Sequence, residues 1–411
     1  MAITKFDDLP VYLRPRLRLF LSADLVGSTG FKQSPRFPLQ LEADEADVPP
    51  GPHWLASITD FYTDFGAEFA RQWRLFADSA DKAPKWPMGP SPEFWKGIGD
   101  EVVYVKELRD PKEVAGTVWV WMLSVQKYRS ALKAKHPALD IKATAWIGGF
   151  PVNNSEVVFD LHLASAEMPA DDPRLSHFQK LEQYYASNAG SAKYVRDFIG
   201  TSIDTGFRLS TKSTPRRMTV SIEVVLMITS TPPPKNKFGP IRIYFEGYDT
   251  FKGVLAGKPY PVFWIDLYQT ADDQLLAAAE DALLKRIPGE EAKLREFCDR
   301  FIAANSQHLI RPFIHDCNDE SFKELPANYL EKLSEWNDRI RKERERYSTE
   351  TSLDEAPPEP GRKGVATRTP ESILSLWRSK VELSPGAEKK RPTSVRQRPG
   401  PGRQTRAKKR H

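Results

Sequence analysis

Cysteine is nearly absent. Cys298 and Cys317 are the only two in 411 residues, too few for a disulfide framework, and the expected setting is a reducing cytoplasm. Histidine is scarce as well: seven are scattered along the chain, with no H-x-x-x-H and no Cys/His cluster, which argues against a zinc site. No apolar run is long enough to cross a membrane, and the opening stretch MAITKFDDLP is too polar for a secretory signal. No internal repeat is evident.

The main part of the chain also lacks an excess of basic charge, in spite of a net charge of +5. Gly361–His411 holds 15 Lys+Arg against 3 Asp+Glu, a net of +12, which leaves 45 basic and 52 acidic residues before it, a net of −7. This describes a mildly acidic, enzyme-like body with a basic appendage. The appendage, ending KKRPTSVRQRPGPGRQTRAKKRH, has no interleaved aromatics for stacking on bases. It reads as a solvated tail with salt-sensitive affinity for polyanions, so no specific nucleic-acid partner and no membrane partner is expected.

Aromatic residues and apolar segments are plentiful enough for a sizeable core. LRLFLSAD (17–24) reads as a buried strand ending on Asp24. An acidic, proline-rich insertion follows at 34–52 and reads as a surface loop. Trp54, Ile58, Phe61, Phe65, Phe69 and Trp73 recur at helical spacing, predicting a helix over 53–76. EFWKGI and EVVYVKEL flank Gly99-Asp100 as a β-hairpin. A second helix is expected from Pro111 to about Lys135, with proline in its first turn, and IKATAWIGGF (141–150) is the next strand.

The order strand, helix, hairpin, helix, strand is the βαββαβ plan, an α+β fold with an antiparallel sheet and its helices on one face. MTVSIEVVLMIT (218–229), IRIYFEG and YPVFWIDL predict further strands. From Asp272 to about Tyr347 the pattern is helical and charged. The remainder reads as disordered, apart from a short helix around PESILSLWRSKVEL. Three regions are expected: 1–272, a helical extension 273–350, and a disordered basic tail 351–411.

Two carboxylates stand out, Asp24 at the end of the first strand and Asp100 at the hairpin tip. The βαββαβ plan makes those strands neighbours, so the side chains can converge. Converging carboxylates without histidine suit Mg²⁺ or Mn²⁺, which take oxygen ligands and share them with substrate phosphates. Val26 to Thr29 would offer backbone N–H groups to a triphosphate. The alternative is a turn aspartate and a hairpin GD, each common alone. In DFIGTSIDTGFRLS (197–210), Asp204 and Arg208 fall four apart on one helical face. An exposed helix ion pair, contributing about 0.3–0.5 kcal/mol, is the plain reading; an arginine neutralising charge on phosphorus is the functional one.

LSADLVGST, WKGIGDEVV, IKATAWIGG and DFIGTSIDTGFRLS resemble, in order, the successive motifs of the class III nucleotide cyclases, over roughly residues 14 to 270. The resemblance implies the cyclase catalytic core as fold and two divalent metal ions, Mn²⁺ or Mg²⁺, as cofactors. Asp24 and Asp100 would bind them with help from the Leu25 carbonyl, while Gly27, Ser28 and Thr29 meet the triphosphate. It assigns Lys96 and Asp197 to reading the base, Asp204 to orienting the ribose, and Arg208 to the transition state. Asp204 departs from the asparagine usual there. FKGVLAGKPYPVF resembles the family's later K-G turn, making Lys252 a triphosphate ligand, with Lys258 second to it. The implied substrate is a nucleoside triphosphate, the product a 3′,5′-cyclic monophosphate plus pyrophosphate. The implied assembly is a homodimer whose sites are shared between chains.

Hydrogen-bond logic leaves the base open, because all four bases can satisfy one donor and one acceptor. In purine cyclases of the family, Lys with Asp points to adenine. The longer string DFIGTSIDTGFRL, with Asp204, is more similar to the pyrimidine cyclases of bacterial anti-phage systems. That resemblance implies a pyrimidine triphosphate, UTP ahead of CTP, and a separate effector protein activated by the cyclic nucleotide. Bulky Trp95, Phe198 and Tyr194 beside the base readers would fill the room a pyrimidine leaves; ordinary core packing is their alternative role. An adenylate cyclase, or a degenerate fold that only binds nucleotide, stays open.

Overall fold

A computed structural model of the protein describes residues 6–33, 52–80, 86–160, 173–186, 194–234, 238–239, 241–267 and 270–354. The chain divides into two units, Met1–Ser348 and Thr349–His411. The acidic insertion over 34–51 and the basic tail from 355, with its short candidate helix, lie outside the described residues.

The first strand is Arg16–Val26 (β1), buried without a break from Leu17 to Ala23. Its odd positions, Leu17, Leu19, Leu21, Ala23 and Leu25, are buried in the largest core cluster, as a period of two requires. After a short helix, Ser28–Gln33 (α1), comes His53–Ala80 (α2), and later Glu113–Lys135 (α3). Phe61, Phe65 and Phe69 of α2 and Val118, Trp121 and Val125 of α3 share that core. Each large side chain so buried contributes about 1.5–3 kcal/mol. Between the helices, Glu93–Ile98 (β2) and Glu101–Leu108 (β3) pair as a hairpin, turned by Gly99 at φ +67. Asp140–Phe150 (β4) then pairs with β1 on the side away from β3. The βαββαβ order is therefore present.

Beyond it, Asn154–Asp160 (β5) and Tyr194–Gly200 (β6) form a separate two-stranded antiparallel sheet, with helix Pro173–Ala186 (α4) between them in sequence. Neither β5 nor α4 was signalled by the sequence. Thr201–Ser210 (α5) follows β6 directly. Arg217–Val220 (β7), Ile243–Asp249 (β8) and Tyr260–Asp266 (β9) complete a seven-stranded sheet in the order β2-β3-β1-β4-β7-β9-β8. All its pairs are antiparallel except β4 with β7.

Two expectations change. The run MTVSIEVVLMIT is not one strand. β7 ends at Val220, Ser221 caps in extended conformation, and Ile222–Ser230 (α6) is helical. Residues 222–229 are all buried, and a helix buried on every side has no polar stripe to betray its period. The helices are also not confined to one face. α2, α3 and α6 cover the odd face of β1, while α5 lies on the other: an added Cβ on Gly206 would meet the Trp146 ring at 2.2 Å, and Trp146 belongs to the cluster around Phe20.

Ala271–Leu284 (α7), Glu291–Ala304 (α8) and Tyr329–Asp354 (α9) supply the helical C-terminal pattern, interrupted by a largely non-helical stretch from Asn305 to Asn328. Leu294, Cys298 and Ile302 of α8 join the main core, and Tyr329 donates a hydrogen bond to the Phe150 carbonyl (3.1 Å). Among the described residues no helix is long and apolar enough to cross a membrane.

Candidate active site

The even positions of β1 face away from α2 and α3. On them stand Arg16, Arg18, Phe20, Ser22 and Asp24, and cross-strand register extends each into a row. Asp24 lies between Glu101 of β3 and Lys142 of β4, and Ser22 between Val103 and Thr144. The chain turns immediately after β1 through Gly27, whose φ is +87 and whose added Cβ would sit 2.7 Å from the Ala138 carbonyl oxygen. Only glycine suits that turn. Ser28 and exposed Thr29 then open α1.

Asp24 and Asp100 converge as the strand order predicts. The Leu25 amide donates to the Asp100 carbonyl (3.2 Å), and Ser28 Oγ donates to the Asp100 carboxylate. Burial pushes the Asp24 carboxyl above the usual carboxylate range; Lys142 opposes this and Asp100 adds to it. Glu101 is a third member that sequence reasoning missed. Burial raises its carboxyl too, Ser22 opposes through a hydrogen bond, and both aspartates add to the rise. Two missed lysines balance the cluster: Lys142 Nζ is 3.0 Å from Asp24 and Lys32 Nζ is 3.7 Å from Asp100. Only the cross-strand register, which puts Lys142 directly opposite Asp24, could have signalled the first.

Among the described residues no three His, Cys, Asp or Glu side chains form a ready metal-holding group. The donor set nevertheless fits Mg²⁺ or Mn²⁺. Asp24 and Asp100 both offer hard carboxylate oxygens, and these ions are held by one or two carboxylates plus substrate phosphates rather than by all-protein cages.

The second constellation comes together on the same side of the sheet. Lys96 Nζ is 2.8 Å from Asp197 Oδ1, although 101 residues separate them. A one-residue bulge between Phe94 and Lys96 lets both Trp95 and Lys96 turn to this face. Trp95 packs edge-on against Phe20 and Phe198 at 5.3 and 5.1 Å, and Lys96 lies 4.1 Å from the Trp95 ring centre. Phe198 is 1% exposed, so it packs as core, whereas Trp95 is only half-buried. Tyr194 packs edge-on against Tyr184.

The ribbon of β5 and β6 that carries Asp197 is anchored by charge. Glu156 of β5 pairs with Arg18 (2.6 Å) and Arg16 (3.5 Å) of β1 and accepts from the Tyr185 hydroxyl. Burial pushes the Glu156 carboxyl up, but the two arginines and Tyr185 outweigh it and hold it below the usual range. Sequence reasoning missed this anchor, since its arginine partners are more than a hundred residues away.

On α5, Ile203, Gly206 and Leu209 are buried, leaving Asp204 and Arg208 on the solvent side. Among the described residues no ion pair joins them, so the plain reading of that spacing does not hold. Lys252 and Lys258 are exposed. Lys252 heads a turn in which Leu255 and Ala256 both take left-handed conformations, φ 47 and 54, costly for residues with a side chain. The structure thus brings together Asp24 with Asp100 and Lys96 with Asp197, leaves Asp204 and Arg208 unpaired on α5, and gives Lys252 no ion pair among the described residues.

No protein-family model matches the chain, and no curated protein matches it. Similar solved structures are adenylyl and guanylyl cyclases. The adenylyl cyclase CyaB from P. aeruginosa is 14% identical, with 63% of this chain and 97% of that one covered and a TM-score of 0.36. The guanylate cyclase domain of RhGC from Catenaria anguillulae, in complex with GTP, is 12% identical, covering 62% and 98%, with a TM-score of 0.36. The guanylyl cyclase Cya2 is 12% identical, covering 62% and 94%, with a TM-score of 0.34. At that level of similarity the residues of this chain have to carry the functional reading.

Proposed function

We propose that the chain is a nucleotide cyclase that converts a pyrimidine nucleoside triphosphate, UTP ahead of CTP, to the 3′,5′-cyclic monophosphate and pyrophosphate. The single observation that supports this most is the shared face of β1 and its neighbours: Asp24 and Asp100, and Lys96 with Asp197 of the β5–β6 ribbon against it, stand on the same side of the seven-stranded sheet, so that a second copy facing it would set the carboxylates of each chain against Lys96 and Asp197 of the other. A donor next to an acceptor suits the edge of a base, and a crowded carboxylate pair suits divalent cations bound to a triphosphate.

In this reading Asp24, Asp100 and the Leu25 carbonyl would hold two divalent ions, which would supply charge neutralisation at the triphosphate and acidify the ribose 3′-hydroxyl. Lys96 donates to the base and Asp197 accepts from it. The backbone of Gly27, Ser28 and Thr29 meets the phosphates. Asp204 orients the ribose as the 3′-oxygen attacks the α-phosphorus. Arg208 binds the α-phosphate as charge builds on it, and Lys252 the leaving pyrophosphate. The carboxylates of one protomer work with Lys96, Asp197, Asp204 and Arg208 of a second, so a homodimer is the active form. The half-buried Trp95 ring beside Lys96 takes up room next to the base, which supports the smaller pyrimidine. A soluble cytoplasmic cyclase of this kind would signal infection by phage to a separate effector protein. The expected regions, 1–272 as catalytic domain, 273–350 as helical extension and 351–411 as basic tail, belong to the same proposal.

The test is product identification. Purified protein is incubated with UTP, CTP, ATP and GTP separately in the presence of Mn²⁺, and products are resolved by chromatography and mass. A cyclic pyrimidine monophosphate is expected. Cyclic AMP would keep the chemistry and replace the base. Binding without any product would leave a nucleotide-sensing protein.

A further inference from the structure

A cavity of about 320 Å³ lies beside Leu17 and Gly149. Leu17 is seven residues from Asp24 along β1, roughly 23 Å of strand, so this is a separate place from the carboxylate cluster. Its walls come from the first turns of α5 and α6 and from the strained turn at 253–256. Residues 307–313, between α8 and α9, form another wall. Its size is that of a pocket for a small organic ligand.

The cavity is lined by Glu223, 8% exposed at the start of α6. The groups that stabilise its carboxylate are the Ser221 hydroxyl and its own backbone N–H, with Tyr260 and Cys298 close by. Among the described residues no lysine, arginine or histidine pairs with it, and burial pushes its carboxyl up. The cavity does have an arginine, Arg311, but that side chain pairs with Asp299 (3.0 Å) and donates to the Ser321 carbonyl (3.1 Å). Among the described residues the other buried acids have cations: Glu113 has Lys106 at 2.9 Å, Glu156 has Arg18, and Asp266 and Asp281 share Arg216. A carboxylate near a helix N-terminus gains something from the helix dipole, but capping requires no cavity in front of it. A buried carboxylate with hydrogen bonds but no cation is costly to ionise, and here it borders open space of ligand size.

We infer that this cavity binds a small organic molecule presenting paired N–H donors, of the guanidinium or amidine type, held by the Glu223 carboxyl. Thr201 and Ser202 on one wall and Gln307 on another offer it further hydrogen bonds. The ligand would touch α5, the helix of Asp204 and Arg208, and the turn behind Lys252. It would therefore be placed to tune the proposed catalytic groups; that consequence rests on the cyclase reading, whereas binding itself does not.

Calorimetry on the full chain, without nucleotide, tests the inference, with agmatine and guanosine as probes and inorganic phosphate as the contrasting anion. Binding of agmatine or guanosine is expected, weakened at least about tenfold by Glu223→Gln, as for loss of one hydrogen bond to a charged group. Should Glu223→Gln fail to fold, Leu309→Arg serves instead: it supplies an internal guanidinium and should abolish probe binding. No binding of either probe to the wild-type protein overturns the inference. So does binding unchanged in a folded Glu223→Gln or Leu309→Arg variant, or binding of phosphate alone.

Discussion

Along β1 the odd residues Leu17, Leu19, Leu21, Ala23 and Leu25 are buried against α2 and α3, whereas the even residues include every charge on the strand, Arg16, Arg18 and Asp24. Eleven residues of one strand thus do two different things on its two faces. The odd face is filled by side chains whose only requirement is shape, so its energetics are those of area removed from water. The even face mixes an aromatic cluster around Phe20 with carboxylates that crowd each other and depend on Lys142, Lys32 and Ser28 for balance. On that face Asp100 raises the Asp24 carboxyl, and both aspartates raise that of Glu101. Within that face a second contrast appears: Glu156 is held below the usual carboxylate range by arginines, while Asp24 is held above it by burial and a like charge. One carboxylate fastens the fold; the other is held in tension.

Substitutions on the two faces should separate cleanly. Asp24→Ala or Asp100→Ala is expected to lower the proposed cyclisation by about 10³-fold or more with the proposed dimer and its unfolding transition preserved; full activity in either would contradict the proposed metal-binding role. Leu21→Ala, one face across from Ser22, should do the reverse, losing about 2–5 kcal/mol in urea unfolding with little change in turnover per folded molecule.

How far the sequence carries this comparison depends on the element. The apolar run of LRLFLSAD and the Gly-Asp turn made β1, the hairpin and the two aspartates readable, because each signal is local. α6 was unreadable, since a wholly buried helix and a wholly buried strand share one apolar pattern. The partners Lys142 and Glu101 follow from register, and register is set by pairing across the sheet. The Trp95 bulge, which turns Lys96 to the working face, and the Glu156 anchor depend on contacts more than a hundred residues distant in the second case and on the pairing of β2 with β3 in the first. The roles proposed for Lys96, Asp197, Asp204, Arg208 and Lys252 rest on the motif resemblance.

A smaller effect sharpens the contrast between the two kinds of carboxylate. Glu156→Gln should cost about 1.5–3 kcal/mol at neutral pH, as for a hydrogen bond to a charged group. Because the folded protein holds Glu156 below its unfolded value, the stability it contributes is present above the ordinary glutamate range and lost as pH falls through the depressed folded value. The gap between variant and wild type in thermal unfolding should therefore close on acidification. A gap independent of pH would mean that Glu156 acts by packing rather than charge.

The most direct test of the working face is to mix two dead proteins. Asp24→Ala lacks a proposed metal ligand, and Arg208→Ala lacks the arginine that the second protomer would supply. After exchange of subunits, random pairing gives heterodimers with one intact site, and roughly a quarter of wild-type activity should return. Mixtures that form heterodimers yet stay inactive would contradict a site shared between two copies of this face.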